Sequence, residues 1–232
     1  MKVLAVDTAT RTCSAAVVEN EILLSEITLN SEQTHARFLM KIIAMAIELA
    51  GLTYADLDGF AATSGPGSFT GLRIGISAMK GLALACGKPL VGVSSLEALA
   101  RQAVPVRTLI SPWLDARQGE VYYTFYRVHN GRLIPESPEN TASPQTVLAD
   151  LQEPCFFLGD GAHRYRRLIC ERLGSMASFG TSLQDGIRAS TVAGAAVEKF
   201  RQKDFSDVAQ FSPTYVRQTH AQLKLVQQLR KN

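Results

Sequence analysis

Only four histidines occur in this chain, at positions 35, 129, 163 and 220, and no two lie within one helical turn of each other. That spacing excludes a metal centre built from a histidine pair on one helix face. The four cysteines, Cys13, Cys86, Cys155 and Cys170, are equally scattered and form no Cys-x-x-Cys pair. They suit neither a structural zinc site nor a disulfide framework, and read as reduced thiols of a cytoplasmic protein. Charge is scarce too: 19% of residues are charged and the formal net charge is +3, too little to argue for nucleic-acid binding by itself. No apolar run reaches transmembrane length without a glycine, charged or polar break. Asp7 interrupts the first apolar run too early for a secretory leader. No Gly-x-Ser-x-Gly elbow is present, so nothing points to a serine hydrolase.

What the chain does have is 46% apolar residues, enough for one substantial domain or two lobes. Its most informative stretch is Gly65-Pro66-Gly67-Ser68-Phe69-Thr70-Gly71-Leu72-Arg73-Ile74-Gly75. Glycine on both sides of proline marks a tight backbone turn, and Ser68 caps a helix predicted to run to about Cys86 and stop at Gly87. On that helix Gly71, Gly75, Ala78, Gly81 or Leu82, and Ala85 recur every three or four residues. Internal glycine costs roughly 1 kcal/mol against alanine. The stripe therefore calls for the close approach of another backbone, from this chain or from a partner. Read as a partner surface, it predicts that a bulky residue at Gly75 or Ala78 abolishes binding and leaves the monomer folded.

The pattern of elements repeats. Lys2–Val6, Cys13–Val18 and Ile22–Leu29 read as strands, followed by a helix over 31–49, a strand near 59–64, the small-residue helix, a strand at Leu90–Val93 and a helix capped by Ser94. After Pro105 the order restarts: strands at Thr108–Leu114 and Val121–Val128, an Asn130-Gly131 turn into Arg132–Ile134, a helix near 144–151, a strand at Cys155–Leu158 and a helix over 162–173. Thr191–Arg201 and 219–230 read as further helices. We take 1–105 as an N-terminal lobe and 106–217 as a C-terminal lobe, with 218–232 a helix suited to packing back on the first. In each half the first strand ends in an acid, Asp7 before Thr8 and Asp115 before Ala116. Such residues either cap turns or face each other across a cleft that holds phosphate and a hydrated cation.

The block 65–75 resembles the TsaD family, once grouped as M22 glycoproteases, and in particular its small non-catalytic bacterial branch. Further matches are Leu4-Ala5-Val6-Asp7-Thr8, Gln33-x-His35, Lys88-Pro89-Leu90-Val91-Gly92-Val93, Asp115-Ala116-Arg117-Gln118-Gly119-Glu120, Gly159-Asp160-Gly161-Ala162 and Pro213-x-Tyr215-x-Arg217. The resemblance implies a two-lobed α/β fold of the actin, Hsp70 and sugar-kinase type with duplicated ribonuclease H-like lobes. It also implies a role in forming N6-threonylcarbamoyladenosine beside the anticodon of transfer RNAs that read codons starting with adenine. There the catalytic homologue TsaD transfers threonylcarbamoyl from its adenylate, and the small ATPase TsaE joins the complex. A helix surface paved with glycine and alanine would leave apolar area exposed, so we also expect a homodimer when the partner is missing.

Where the catalytic homologue carries His-x-x-x-His, this chain has Ser95-Leu96-Glu97-Ala98-Leu99. Serine is a poor metal ligand and leucine is none, so we expect no metal, no cofactor and no catalysis by this chain. The expected partner surface is Ser68, Gly71, Leu72, Gly75, Ala78, Met79 and Leu82 on one helix, with His35, Leu39 and Ile42 on the other. Candidate nucleotide or phosphate contacts are Asp7, Thr8, Asp115, Gly159 and Gly161, although Thr8-Ala9-Thr10 lacks the glycines that bring backbone N–H groups to a phosphate. The Gly159–Gly161 segment fits an anion-binding helix start or a plain tight turn. The basic run His163-Arg164-Tyr165-Arg166-Arg167, with Arg172, fits RNA phosphates or a solvated helix face. Two rivals stand beside the scaffold role: an active metallopeptidase and a small-molecule kinase of the same fold.

Overall fold

The computed structural model describes residues 1–30, 35–104, 106–214 and 216. Gln33, Tyr215, Arg217 and the expected helix within 218–232 lie outside the described residues. The first half contains β1 (Lys2–Asp7), β2 (Thr12–Glu19), β3 (Ile22–Asn30), α1 (His35–Leu49), β4 (Gly59–Gly65), α2 (Phe69–Cys86), β5 (Leu90–Ser94) and α3 (Ser95–Arg101). The second contains β6 (Leu109–Arg117), β7 (Glu120–Tyr123), β8 (Tyr126–His129), β9 (Arg132–Pro135), β10 (Asn140–Ala142), α4 (Pro144–Ala149), β11 (Cys155–Leu158), α5 (Asp160–Arg164), α6 (Arg166–Leu173), β12 (Ala177–Phe179) and α7 (Ala189–Arg201).

The first sheet runs β3-β2-β1-β4-β5, antiparallel among its first three strands and parallel from β1 to β5. The second follows the same plan in the order β10-β7-β6-β11-β12. The third strand of the repeat is therefore β10, not the Arg132–Ile134 segment that the sequence suggests. The expected strand 121–128 divides at Thr124: β7 pairs with the end of β6, while Tyr126 of β8 sits opposite Ile110 near its start. The hairpin turn at Asn130-Gly131 forms, with both residues at positive φ, and joins β8 to β9. The expected helix 162–173 is two helices that meet at Tyr165, whose φ of −103° and ψ of 15° leave the helical basin.

Alternation along β1 divides the core. Leu4 and Val6 face α1 and α2, packing with Leu39, Ile43, Phe60, Ile76 and Met79. Val3 and Ala5 face the other way, onto α3 and α7. Both faces of β1 are buried, which is why it reads as a continuous apolar run rather than an alternating one. That second cluster continues through Ile110, Leu114 and Leu158 of the second sheet, so one apolar layer joins the two halves. The far face of the second sheet holds Trp113, Phe157 and Ile169, with the Trp113 and Phe157 rings edge to face at 5.4 Å.

The bare stripe on α2 has an explanation inside the chain. A Cβ on Gly71 would lie 2.0 Å from the Thr8 carbonyl oxygen, and one on Gly75 would lie 2.3 Å from Thr8 Oγ1. The approaching backbone is the β1–β2 turn. A bulky residue at Gly75 thus strikes the fold itself, which corrects the expectation that the monomer tolerates it. Gly81, by contrast, would meet nothing within 4 Å. By length and composition α2 passes as a membrane span, yet its Leu72, Ile76, Met79 and Ala83 are packed into the core over β4.

Candidate functional site

The β1–β2 turn is bound to both helices that cover it. Thr8 Oγ1 donates to the Gly71 carbonyl at 2.7 Å, and Ser68 N–H donates to the Ala9 carbonyl at 2.8 Å. Ser68 also caps α2 by accepting from Gly71 N–H at 3.2 Å. His35, the first residue of α1, donates from Nε2 to the Thr10 carbonyl at 2.9 Å. One four-residue turn therefore fixes the starts of α1 and α2 together.

Asp7 lies under this turn with no solvent exposure. Its Oδ1 accepts from Ala9 N–H at 3.0 Å and from Thr63 Oγ1 at 2.8 Å, and its Oδ2 accepts from Thr10 Oγ1 at 3.3 Å. Burial pushes its carboxyl up to about 7 against the opposing pull of these hydrogen bonds. The same burial, with the Asp7 charge, raises the thiol of Cys13 to about 11. The folded state thus holds the Asp7 proton more tightly than the unfolded chain does. Stability from this group is complete below about pH 4 and is lost as pH rises to about 7, on the order of 4 kcal/mol by linkage. Asp7→Asn keeps the acceptor and removes the titration. Urea denaturation at pH 5 and pH 8 should show the variant gaining on the wild type at the higher pH; a difference independent of pH would contradict the assignment.

The second acidic turn is built differently. Asp115 is 11% exposed and its carboxylate is held by Arg164 at 2.9 Å and by Arg117 at 3.5 Å. Its backbone N–H donates to Asp160 Oδ1 at 3.0 Å. Burial raises the Asp160 carboxyl. Gly159, at φ +99°, lets the chain pass the Trp113 carbonyl, which a Cβ would approach to 2.3 Å. Gly161 lies close to Trp113 and Leu114, with 3.0 Å left for a Cβ. The Gly159–Gly161 segment is a tight turn pressed on β6, with a carboxylate at the start of α5.

Ser95 and Leu99, where the resemblance leads one to expect the metal-binding histidines of a catalytic relative, are fully buried on α3. Leu99 packs against Gly159, and Ser95 Oγ is buried without a hydrogen-bond partner among the described residues. No three His, Cys, Asp or Glu side chains come together as metal ligands among the described residues.

Of the ten residues expected to face a partner, Leu39, Ile42, Gly71, Leu72, Gly75 and Met79 are buried in the core. His35, Ala78 and Leu82 are half-buried and Ser68 is exposed. The outward sides of the two helices carry residues that the small-residue stripe did not flag. These are Met40, Met45 and Leu49 on α1, and Phe69 and Leu84 on α2. Leu49 and Leu84 are the most open, at 69% and 66%. A shallow depression of about 410 Å³ on α2 is lined by Phe69, Thr70, Arg73, Ile74 and Ser77. The signal for this face is the set of apolar residues left over once the buried stripe of each helix is removed.

The family model described as TsaD, tRNA N6-adenosine threonylcarbamoyltransferase, matches residues 22–224. The tRNA threonylcarbamoyladenosine biosynthesis protein TsaB of Bacillus subtilis is 30% identical over 98% of this chain and 99% of its own length. The solved structure of YeaZ from Pseudomonas aeruginosa has a TM-score of 0.80 at 27% identity, covering 92% of this chain and 99% of that one. Component A of the (R)-2-hydroxyglutaryl-CoA dehydratase of Acidaminococcus fermentans shares the fold alone, with a TM-score of 0.51 at 11% identity over 88% of this chain and 99% of that one. The duplicated sheets are those of the two-lobed actin, Hsp70 and sugar-kinase fold, and the chain belongs to the TsaD family, in its TsaB or YeaZ branch.

Proposed function

We propose that this chain is a cytoplasmic accessory subunit, without catalysis of its own, in the formation of N6-threonylcarbamoyladenosine in transfer RNA. It supports a catalytic relative of the TsaD type, with the ATPase TsaE as a further member, in moving threonylcarbamoyl from its adenylate to the adenosine beside the anticodon. The observation that carries this reading is the pair of buried, non-ligating residues, Ser95 and Leu99, at the positions where the catalytic relative holds its metal. Leucine packed on glycine offers no lone pair, so metal-assisted transfer and metallopeptidase chemistry both lack their ligands. The kinase reading is disfavoured by the β1–β2 turn, which directs its Ala9 N–H at its own Asp7 rather than outward at a phosphate.

A scaffold acts through its surface. In this reading the outer side of α1 and α2, which touch each other on one face of the first sheet, receives two helices of the partner. Exposed leucine, methionine and phenylalanine side chains give that contact its apolar anchors. Without the partner, the same face pairs two copies of this chain. The double variant Leu49→Glu, Leu84→Glu tests this, because both side chains lie outside the core and the monomer should keep its thermal transition. Light scattering should show partner binding weakened at least about 100-fold, since each buried unpaired carboxylate costs a few kcal/mol. A complex that forms with undiminished affinity would reject the surface.

A further inference from the structure

We infer that the outer face of α1 and α2 has a direction, basic over the first two turns of both helices and apolar beyond them, and that it fits a partner whose helices present carboxylates at the basic end. The same charges disfavour the pairing of two copies of this chain. This rests on the function proposed above and deepens it by giving the chemistry of the partner at that face.

The β1–β2 turn sets the direction. Thr10 holds the start of α1 and Ala9 the start of α2, so the two helices begin side by side at one end of the sheet. β3 and β4, which precede them, both run in the direction of β1, so both helices return from that end in the same sense. Arg37 and Lys41 stand in the first two turns of α1 and Arg73 in the first two of α2, all three exposed. With about 3.6 residues per turn, Arg37 and Lys41 lie about 40° apart round α1, on the side opposite the buried Leu39, Ile43 and Ala46. Arg73 shares with Ser77 and Leu84 a strip about 40° wide on α2, turned away from the buried Gly75 and Met79. Arg73 lies over the Phe69 ring at 3.9 Å, which fixes its guanidinium at this end of the face. The two parallel helix starts add their own positive ends there.

Carboxylates are few here. α2 contains none, and α1 contains Glu48 alone, next to its last residue. Asp7 sits beneath the turn, fully buried, with its oxygens taken up by Ala9, Thr10 and Thr63. Asp58 is at the opposite end of the sheet, where it accepts from Lys2 N–H at the start of β1, and Asp56 is tied to Thr53. Glu32, which precedes α1 in the sequence, lies outside the described residues. The other cation of α2, Lys80, is turned aside onto the carbonyls of Ala209 and Phe211.

A second copy answers this pattern poorly. Face to face across a two-fold axis, it sets the three cations against the same three. Turned end for end, it sets them against Met45, Glu48 and Leu84, one carboxylate for three cations. A partner with carboxylates at the basic end gains where the copy loses, and specificity is that difference.

The test compares the two pairings of the full chain. Binding to the catalytic relative, by calorimetry, and self-association, by analytical ultracentrifugation, are each followed from about 0.05 to about 0.5 M sodium chloride. The complex with the relative should weaken at least about fivefold across that range, while the homodimer holds or tightens. The variant Arg37→Glu, Lys41→Glu, Arg73→Glu changes exposed positions only and should keep its thermal transition. It should bind the relative at least about tenfold more weakly and reverse the sign of the salt dependence. Arg37→Lys, Arg73→Lys should retain most of the affinity. A complex indifferent to salt, or undiminished in the charge-reversed variant, would overturn the inference, as would a homodimer that weakens with salt in parallel. If Leu49→Glu, Leu84→Glu leaves the complex intact, the docking face proposed above fails; if that variant loses the complex while the charge-reversed one keeps it, this inference alone is wrong.

Discussion

Gly71→Ala is expected to destabilise the folded chain by about 3 kcal/mol or more, despite adding a single methyl group to a helix. The added carbon would lie 2.0 Å from the Thr8 carbonyl oxygen. Neither atom escapes by changing rotamer, since the oxygen belongs to backbone and a Cβ is fixed by it. Thr8 also donates to the Gly71 carbonyl at 2.7 Å, which draws the two segments together at the same point. Relief requires the turn to lift from α2, and that movement would disturb the Ser68 to Ala9 bond and uncover Asp7. For a chain of this size the loss corresponds to a fall in Tm of roughly 10 °C. The control is Gly81→Ala on the same helix, which meets nothing within 4 Å and should stabilise by about 1 kcal/mol. Thermal denaturation of the two variants side by side reads both. Equal effects would mean that α2 has no such contact.

The physical content of the stripe is thus half legible in the sequence. Repeated glycine on a helix demands a close neighbour, and that inference stands. Which neighbour depends on Thr8, sixty-three positions earlier, and no local pattern connects the two. The element order of the first half follows from apolar runs, caps and the Gly87 stop, because those strands are central and those helices long. In the second half the signals weaken with element length. β10 and β12 have three residues each, too few for periodicity to register. The division at Thr124 arises from long-range pairing of β6 with two different strands, which its own residues do not announce.

The acidic turns show the same limit. Asp7 and Asp115 at matching strand ends suggest a shared cleft. The two environments differ because Thr63 and Thr10 close one carboxylate and Arg164 and Arg117 hold the other. None of these partners except Thr10 and Arg117 is near in sequence. That no histidine pair stands at Ser95 and Leu99, in contrast, is plain from the residues, and the structure adds that both side chains are fully buried.

The central claim is that this fold serves by docking rather than by chemistry, and its removal should therefore silence a reaction performed elsewhere. Depleting the protein from living cells and quantifying N6-threonylcarbamoyladenosine in bulk transfer RNA by mass spectrometry tests this directly. The account predicts a fall of the modified nucleoside by an order of magnitude or more, restored by the wild-type chain and not by Leu49→Glu, Leu84→Glu. Full modification in depleted cells would contradict it.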